Sequence, residues 1–183
     1  IQLKDEVQLI KRRYPTFKDD SVFVFWFLYA YLVDSEEIAK ASLTGKIGGR
    51  GGEKNIDAIY IDERNKQCSI IQGKYHTHEG VNEKRNEILA FADLAFMPWE
   101  SRTVQESFFS RLDPIALDKY QQVIHCVKNK KYVLKLYFVT TGTCTDTIVN
   151  EAESKVAQTE GTSEIHVLGH KQVLRLLKDY IDD

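Results

Sequence analysis

Three polar residues on two consecutive apolar segments carry the strongest chemical signal in this 183-residue chain. Asp57 lies in the first segment, and Gln72 and Lys74 end the second. A short charged stretch, residues 62–66, separates the segments and predicts a hairpin. An acid, an amide and a lysine brought together in this way can hold a divalent cation and a water molecule beside a phosphodiester.

Metal-assisted hydrolysis requires hard oxygen ligands, and these residues supply several. Asp57 provides a carboxylate, and the backbone carbonyl of Gly73 provides a second oxygen. Gln72 offers a neutral carbonyl where a second carboxylate is expected. Lys74 lies two residues further on, hence on the same strand face as Gln72, where it would stabilise charge or orient water. The spacing alone also fits a solvated sheet surface, but the apolar residues between the polar ones favour a central strand.

Helical and strand patterns alternate along the chain, which predicts a single α/β domain over residues 1–183. The expected architecture is a three-layer α/β/α domain around a central mixed sheet. Asp20 and Ser21 are predicted to cap the helix that comes after them. Strands are predicted at residues 56–61, 68–71, 132–140 and 164–168, helices at 1–13, 22–33, 35–42, 82–96, 146–158 and 171–183, and a helix-rich insertion at 101–128.

The composition excludes several classes of protein. A formal net charge of −2 argues against a globally basic nucleic-acid-binding surface. The three cysteines show no Cys-x-x-Cys spacing, which predicts reduced thiols in a cytoplasmic protein. The sequence shows no charged-then-apolar leader at its start. The apolar run at residues 22–33 is shorter than the roughly 20 residues that a membrane-spanning helix needs, so a buried core helix and no membrane partner are expected.

Two short motifs resemble a known family of nucleases. They read Gly52-Glu53-Lys54-Asn55-Ile56-Asp57 and Gln72-Gly73-Lys74-Tyr75. These motifs resemble the PD-(D/E)xK nuclease superfamily, in the branch whose last motif is Gln-x-Lys. That branch includes Mrr-type restriction enzymes and the abortive-infection phage-resistance (AIPR) proteins. The aromatic apolar helix ahead of the motifs and the Thr-Thr-Gly after a later strand are also similar to the AIPR-like branch.

The resemblance implies a restriction-endonuclease-like fold and a Mg²⁺-dependent endonuclease that cuts DNA, with Mn²⁺ as a substitute. It assigns Asp57 as the metal-binding acid, Gln72 as the second motif position and Lys74 as the catalytic lysine. Restriction or phage defence is the implied setting. A homodimer is one implied state, because cutting both DNA strands usually calls for two sites. AIPR-like proteins are longer, so the chain can be the N-terminal nuclease domain of a larger protein.

The chain departs from the family pattern at three places. Glu53 stands where the branch has Asp, and Asn55 stands where it has Gly. Many members of the superfamily also place an acid on an upstream helix, and residues 22–33 contain none. Glu37 is the first choice for that role, with Glu53 as the alternative metal ligand. An acid that merely favours a helix N-terminus is an equally good interpretation of Glu37.

Four further residues are predicted to contact nucleic acid. Arg50 and Lys54 lie in the glycine-rich loop, and His76 and His78 follow Lys74 by two and four positions. The two histidines lack a third ligand for a transition metal, so phosphate contact is preferred, with a plain exposed loop as the alternative. The glycine-rich loop lacks Gly-x4-Gly-Lys-Ser/Thr, which excludes a nucleoside-triphosphate loop.

Two other functions remain open on the sequence. One is a catalytically silent module of the same fold that binds nucleic acid or a partner protein, because Gln72 is not a carboxylate. The other is a nuclease that acts on RNA. Base recognition is expected in the segment 101–128, but the sequence gives no code for it.

Overall fold

Four strands form one mixed sheet in the order β1-β2-β3-β4. The computed structural model describes residues 2–44 and 56–182. Strands β1 and β2 are antiparallel, whereas β2, β3 and β4 run parallel. The carboxyl ends of the three parallel strands therefore lie at one end of the sheet, where loops commonly carry function. The strands are β1 (Ala58–Asp62), β2 (Gln67–Lys74), β3 (Val133–Thr140) and β4 (Ser163–Leu168).

Eight α-helices of the described residues cover both faces of this sheet. They are α1 (Leu3–Arg13), α2 (Asp19–Phe27), α3 (Glu36–Ser42), α4 (Arg85–Ala92), α5 (Arg102–Phe109), α6 (Pro114–Asn129), α7 (Asp146–Val156) and α8 (His170–Asp182). A mixed α/β domain with a mixed sheet flanked by helices is confirmed, and it is compatible with three α/β/α layers. The predicted strands and helices are present, with ends that shift by a few residues.

Helices α1, α2, α3 and α8 pack on one face of the sheet. Six consecutive residues of α2, Val22–Phe27, are buried. A helix that is apolar on every side must be enclosed, and α2 lies between α1 and the sheet. A π-helical turn, Leu28–Leu32, continues it. In the described parts of the chain, no helix is both long and apolar enough to cross a membrane.

Helices α4, α5, α6 and α7 contribute to the core on the opposite face. The segment 101–128, predicted as an insertion, forms α5 and most of α6. Helix α6 buries Tyr120 and Val123 in this core, and the Tyr120 hydroxyl donates to the carbonyl of Leu94 at 3.0 Å. This segment is therefore part of the layer that covers the sheet.

The predicted cap of α2 is wrong. The helix begins at Asp19, and its N-cap residue, Lys18, makes no side-chain capping bond. Asp20 thus lies in the first turn, where its carboxylate is available for a different partner. Strand β2 is also longer than predicted, because it continues through Gln72 and Gly73 to Lys74.

Candidate metal centre at the end of strand β2

The backbone of Asp57 is fixed just before β1 begins. Its amide donates to the carbonyl of Ile71 at 2.8 Å, and its own carbonyl accepts from the amide of Thr44 at 3.0 Å. The pairing of β1 with β2 ends at Ala58 and Ile71. Beyond that point, the amide of Gly73 donates to Oδ2 of Asp57 at 2.7 Å. The carboxylate of Asp57 therefore accepts the amide of Gly73, which a backbone carbonyl of β1 would accept if the strand pairing continued.

A second carboxylate, that of Asp20, accepts a backbone amide two residues further along the chain. The amide of Tyr75 donates to Oδ1 of Asp20 at 2.7 Å. Alternate residues of a strand direct their amide and carbonyl groups to the same edge. Gly73 and Tyr75 hence present their amides to the edge on which β1 lies, and the carbonyl of Gly73 points the same way. Two carboxylates and one carbonyl converge at this edge.

Helix α2 approaches β2 closely enough to place Asp20 there because residue 73 is glycine. A methyl group on Gly73 would overlap the side chain of Val24 and would come within 3.7 Å of the backbone oxygen of Asp20. The absence of a side chain lets the first turn of α2 rest on the strand end. The sequence motif thus positions an acid from a different part of the chain.

The two carboxylates are in an unfavourable electrostatic position. The pKa of Asp57 is raised to about 7: burial raises it most and the negative charge of Asp20 adds to the rise, whereas the Gly73 amide, Lys74 and Lys18 oppose it. Burial also raises the pKa of Asp20, against the lowering effects of the Tyr75 amide, Lys74 and His76. Two acids that share a crowded site oppose each other's ionisation, and a cation would relieve the repulsion.

Lys74 is the basic residue on the strand that carries the site. Its charge lowers the pKa of both Asp57 and Asp20. Its ammonium group is also 3.7 Å from Oε1 of Glu87 on α4. Gln72 lies on the same strand face and is almost completely buried, at 2% exposure. The structure thus brings Lys74 to Asp57 and Gly73.

The donor set fits a hard divalent cation. Asp57, Asp20 and the Gly73 carbonyl offer oxygen atoms, which Mg²⁺ prefers and completes with water. Within residues 2–44 and 56–182, no group of three or more His, Cys, Asp and Glu side chains could hold a metal ion. The proposed set contains only two such side chains, and its third donor belongs to the backbone.

The structure does not bring Glu37 to this site, and its role as the upstream acid stays a prediction. Glu37 is exposed in the first turn of α3. The last turn of that helix leads to Leu43 and Thr44, which contact Ala58 and Asp57. Six residues of helix separate Glu37 from that end, a distance of about 9 Å. Glu37 therefore lies at the end of α3 that is remote from Asp57.

The remaining predicted residues fall into two groups. Glu53, Arg50 and Lys54 lie outside the described residues. His76 and His78 both line a groove of about 800 Å³, as do Asp19 and Tyr75, which are the chain neighbours of Asp20 and Lys74. His78 is exposed there, whereas His76 is half-buried and contacts Glu83. Contact of either histidine with nucleic acid stays a prediction.

Asp20 is the residue that the sequence interpretation missed. The upstream acid was expected within residues 22–33 or shortly after them, whereas Asp20 precedes that run by two positions. Its assignment as a helix cap removed it from consideration. An acid in the first turn is also favoured by the helix dipole alone, so the sequence around Asp20 does not distinguish a ligand from an ordinary helix N-terminus.

Comparison with known proteins identifies no relative: no family model, no curated protein and no solved structure matches this chain.

Proposed function

We propose that this protein is a metal-dependent endonuclease with a restriction-endonuclease-like α/β/α fold, which hydrolyses phosphodiester bonds of DNA with Mg²⁺. One observation carries the proposal. Asp57 accepts a hydrogen bond from the amide of Gly73 in β2, and Asp20 accepts one from the amide of Tyr75 directly after β2, beside the Gly73 carbonyl and Lys74. These groups can hold a hard cation and a cationic side chain at a phosphodiester.

Each group has a definable task in this reaction. A bound Mg²⁺ would polarise a phosphoryl oxygen and lower the pKa of water. Asp57, Asp20 and the Gly73 carbonyl would hold the ion. Lys74 stabilises negative charge that develops on the phosphate, and Glu87 holds its ammonium group near the strand end.

The groove beside the site supports a nucleic-acid substrate. It is lined by Lys4, Lys11, His76 and His78, which can contact phosphates along a strand. The chain as a whole carries a net charge of −2, so these local groups, rather than an overall field, must attract DNA. Cutting both strands would require two copies of the site, which favours a homodimer on DNA. The motif resemblance favours a setting in restriction or phage defence.

Plasmid cleavage in Mg²⁺ tests the proposal. The wild-type protein should nick or linearise supercoiled DNA, and EDTA should abolish this. Lys74→Ala should lose activity by roughly 10² or more with an unchanged melting temperature. Lys178→Ala, an exposed lysine on α8, is the matched control and should cleave like the wild type.

Two outcomes would overturn the proposal or redirect it. If Lys74→Ala cleaves as well as Lys178→Ala, the motif has no catalytic role. If a panel of labelled substrates shows cleavage of RNA but not of DNA, the chemistry stands and the substrate class is wrong. Metal-independent DNA binding without cleavage would instead favour the silent binding module.

A further inference from the structure

A buried glutamate lies on the other side of β2, towards β3. Glu83 is 7% exposed and precedes α4. Its Oε1 atom accepts a hydrogen bond from Oγ1 of Thr140 at 2.8 Å and contacts Nε2 of His76. The amide of Gly142 donates in turn to Oγ1 of Thr140 at 2.8 Å. None of these contacts is required to hold a cation at Asp57.

The hydrogen bonds have a fixed direction. The Gly142 amide can only donate, so it uses a lone pair of the Thr140 hydroxyl, and the single hydroxyl proton is directed to Glu83. A carboxylate only accepts, so His76 must donate to it through Nε2–H. The other ring nitrogen, Nδ1, then carries a lone pair when the imidazole is neutral.

The surrounding backbone holds this arrangement. The amide of His76 donates to Oγ1 of Thr141 at 2.8 Å, which fixes the start of the loop after β2. A methyl group on Gly142 would lie 2.8 Å from Oε1 of Glu83, so glycine provides the space that the glutamate occupies. The Thr-Thr-Gly after β3 is thus the structural support of the His76–Glu83 pair.

His76 lies beside the proposed reaction centre. It lines the groove next to Tyr75, whose amide holds Asp20. His76 follows Tyr75 directly in the chain, so its backbone is adjacent to the amide that donates to Asp20. Lys74, as an ammonium ion paired with Glu87, has no lone pair with which to accept a proton.

We propose that His76 is a catalytic residue that accepts a proton from the attacking water at Nδ1, and that Glu83 is the residue that positions it. This inference rests on the proposed nuclease function. A buried carboxylate that accepts one imidazole N–H fixes the tautomer and stabilises the imidazolium that forms. The arrangement is that of a carboxylate–histidine base, for which water would be the proton donor instead of a hydroxyl side chain.

The atoms and charges of this step balance. The water oxygen forms a bond to phosphorus, the bond from phosphorus to the leaving oxygen breaks, and one water proton moves to Nδ1. The leaving oxygen takes a proton from solvent, and the imidazolium returns its proton to solvent.

Other charged groups around His76 affect this proton transfer. The loop that carries it also contains His78 and Glu79. The elements that pack around the groove and the site contribute Lys4 and Lys11 of α1, Asp19 and Asp20 of α2, and His170 of α8. Within the described residues, Glu83 is the charged group that contacts the imidazole ring, so its replacement should have the largest effect on the ring.

The first test does not depend on cleavage. Side-chain ¹⁵N spectra of the wild-type protein, assigned by comparison with His76→Gly, should show neutral His76 as the Nε2–H tautomer. Glu83→Gln should shift the Nε2 resonance and leave that of His78 unchanged. A neutral His76 that carries its proton on Nδ1 would overturn the proposal whatever the protein cleaves.

The second test measures single-turnover cleavage in saturating Mg²⁺. His76→Gly should lose roughly 10²–10⁴ in rate, and added imidazole should restore at least a tenth of that loss. His125→Ala, which changes an exposed histidine of α6 outside the groove, is the matched control; it should keep the wild-type rate and show no increase when imidazole is added. Glu83→Gln should slow the wild type but add little to His76→Gly, since the two residues act as a unit.

The outcomes separate this inference from the nuclease proposal. If the wild type cleaves DNA and His76→Gly cleaves equally well, the proton-acceptor role is wrong and the nuclease stands. If the wild type cleaves no nucleic acid, the proposed function and the proton transfer fail together. In that case the ¹⁵N spectra still decide whether Glu83 orients His76.

Discussion

The carboxyl end of β2 has acids on both of its sides, and their environments differ. On the β1 side, Asp57 and Asp20 accept backbone amides from the same strand and repel each other. On the β3 side, Glu83 accepts from a threonine hydroxyl and contacts an imidazole. Lys74 and Lys18 offset part of the negative charge at Asp57, whereas Glu83 is held by a hydroxyl donor and an imidazole.

This difference separates a site that needs a cation from one that needs none. Backbone amides fix the positions of Asp57 and Asp20 but do not neutralise two charges, and Lys74 lies close enough to offset only part of them. Glu83 is satisfied by its neighbours, which makes it suited to orienting a side chain. One strand end thus holds a proposed metal centre and a proposed proton acceptor.

Replacement of Asp57 should have the largest effect on DNA cleavage, and it tests whether the acids on the β1 side need a cation. Asp57→Asn should lower DNA cleavage by about 10²–10³ or more, because the main cation ligand loses its charge. The same change should raise the melting temperature of the metal-free protein, since the buried like-charge pair is removed. Plasmid cleavage and thermal denaturation in EDTA measure the two effects. Reduced activity with reduced metal-free stability would indicate a structural role instead.

The identity of the helix acid is tested by a matched pair of variants. Loss of even an outer-shell partner typically weakens metal binding by about 10–100-fold, so Asp20→Asn should shift the Mg²⁺ dependence of cleavage at least tenfold upwards. Glu37→Gln should leave that dependence unchanged, because Glu37 is exposed at the far end of α3. The reverse result would restore Glu37 to the site.

Gly73 links the motif to α2, and its substitution should be costly for packing. Gly73→Ala should lower the free energy of unfolding by roughly 1–3 kcal/mol, because the added methyl group overlaps the side chain of Val24. Val24→Ala in the same chain should recover part of the loss by making room. Urea denaturation of the two single variants and the double variant measures how far the two changes in the free energy of unfolding depend on each other. If the change in the double variant equals the sum of the two single changes, the packing explanation is contradicted.

The pH dependence of stability has a definite sign. The folded-state pKa of Asp57, about 7, lies above its ordinary 3.8, so the folded protein binds a proton that the unfolded chain releases. Without divalent ions, the contribution of Asp57 to stability should therefore fall as pH rises from about 4 to 7. The free energy of unfolding, plotted against pH, should differ in slope between wild type and Asp57→Asn by at most about 1.4 kcal/mol per pH unit. A saturating cation should remove this slope, because it stabilises the ionised carboxylate.

Much of the fold was predictable from local pattern. The apolar run at residues 22–33 predicted a buried helix, and the alternation of strands and helices predicted the mixed sheet. Asp57 directly precedes the first strand of a hairpin, and Gly73 and Lys74 end the second strand. The antiparallel pairing of the two strands therefore brings these residues together, and a hairpin can be predicted from the local sequence. These predictions succeed because each depends on periodicity or on a single turn.

The parts that were missed depend on long-range packing. Asp20 reaches β2 only because Gly73 lets α2 approach, and the contact joins residues 55 positions apart. Glu83 meets Thr140 across 57 positions, and nothing near either residue indicates that pairing. Glu37 was favoured because it comes after the apolar helix, but the direction of α3 places it at the wrong end.

Direct measurement of cation binding tests the central claim, that Asp57 and Asp20 form a metal centre with the Gly73 carbonyl. Calorimetric titration with Mn²⁺ and Mg²⁺ should show binding to the wild type and to Glu37→Gln. Binding should be lost or weakened at least tenfold in Asp57→Asn and Asp20→Asn. Binding that is unchanged in both aspartate variants, or absent from a folded wild type, would contradict the account.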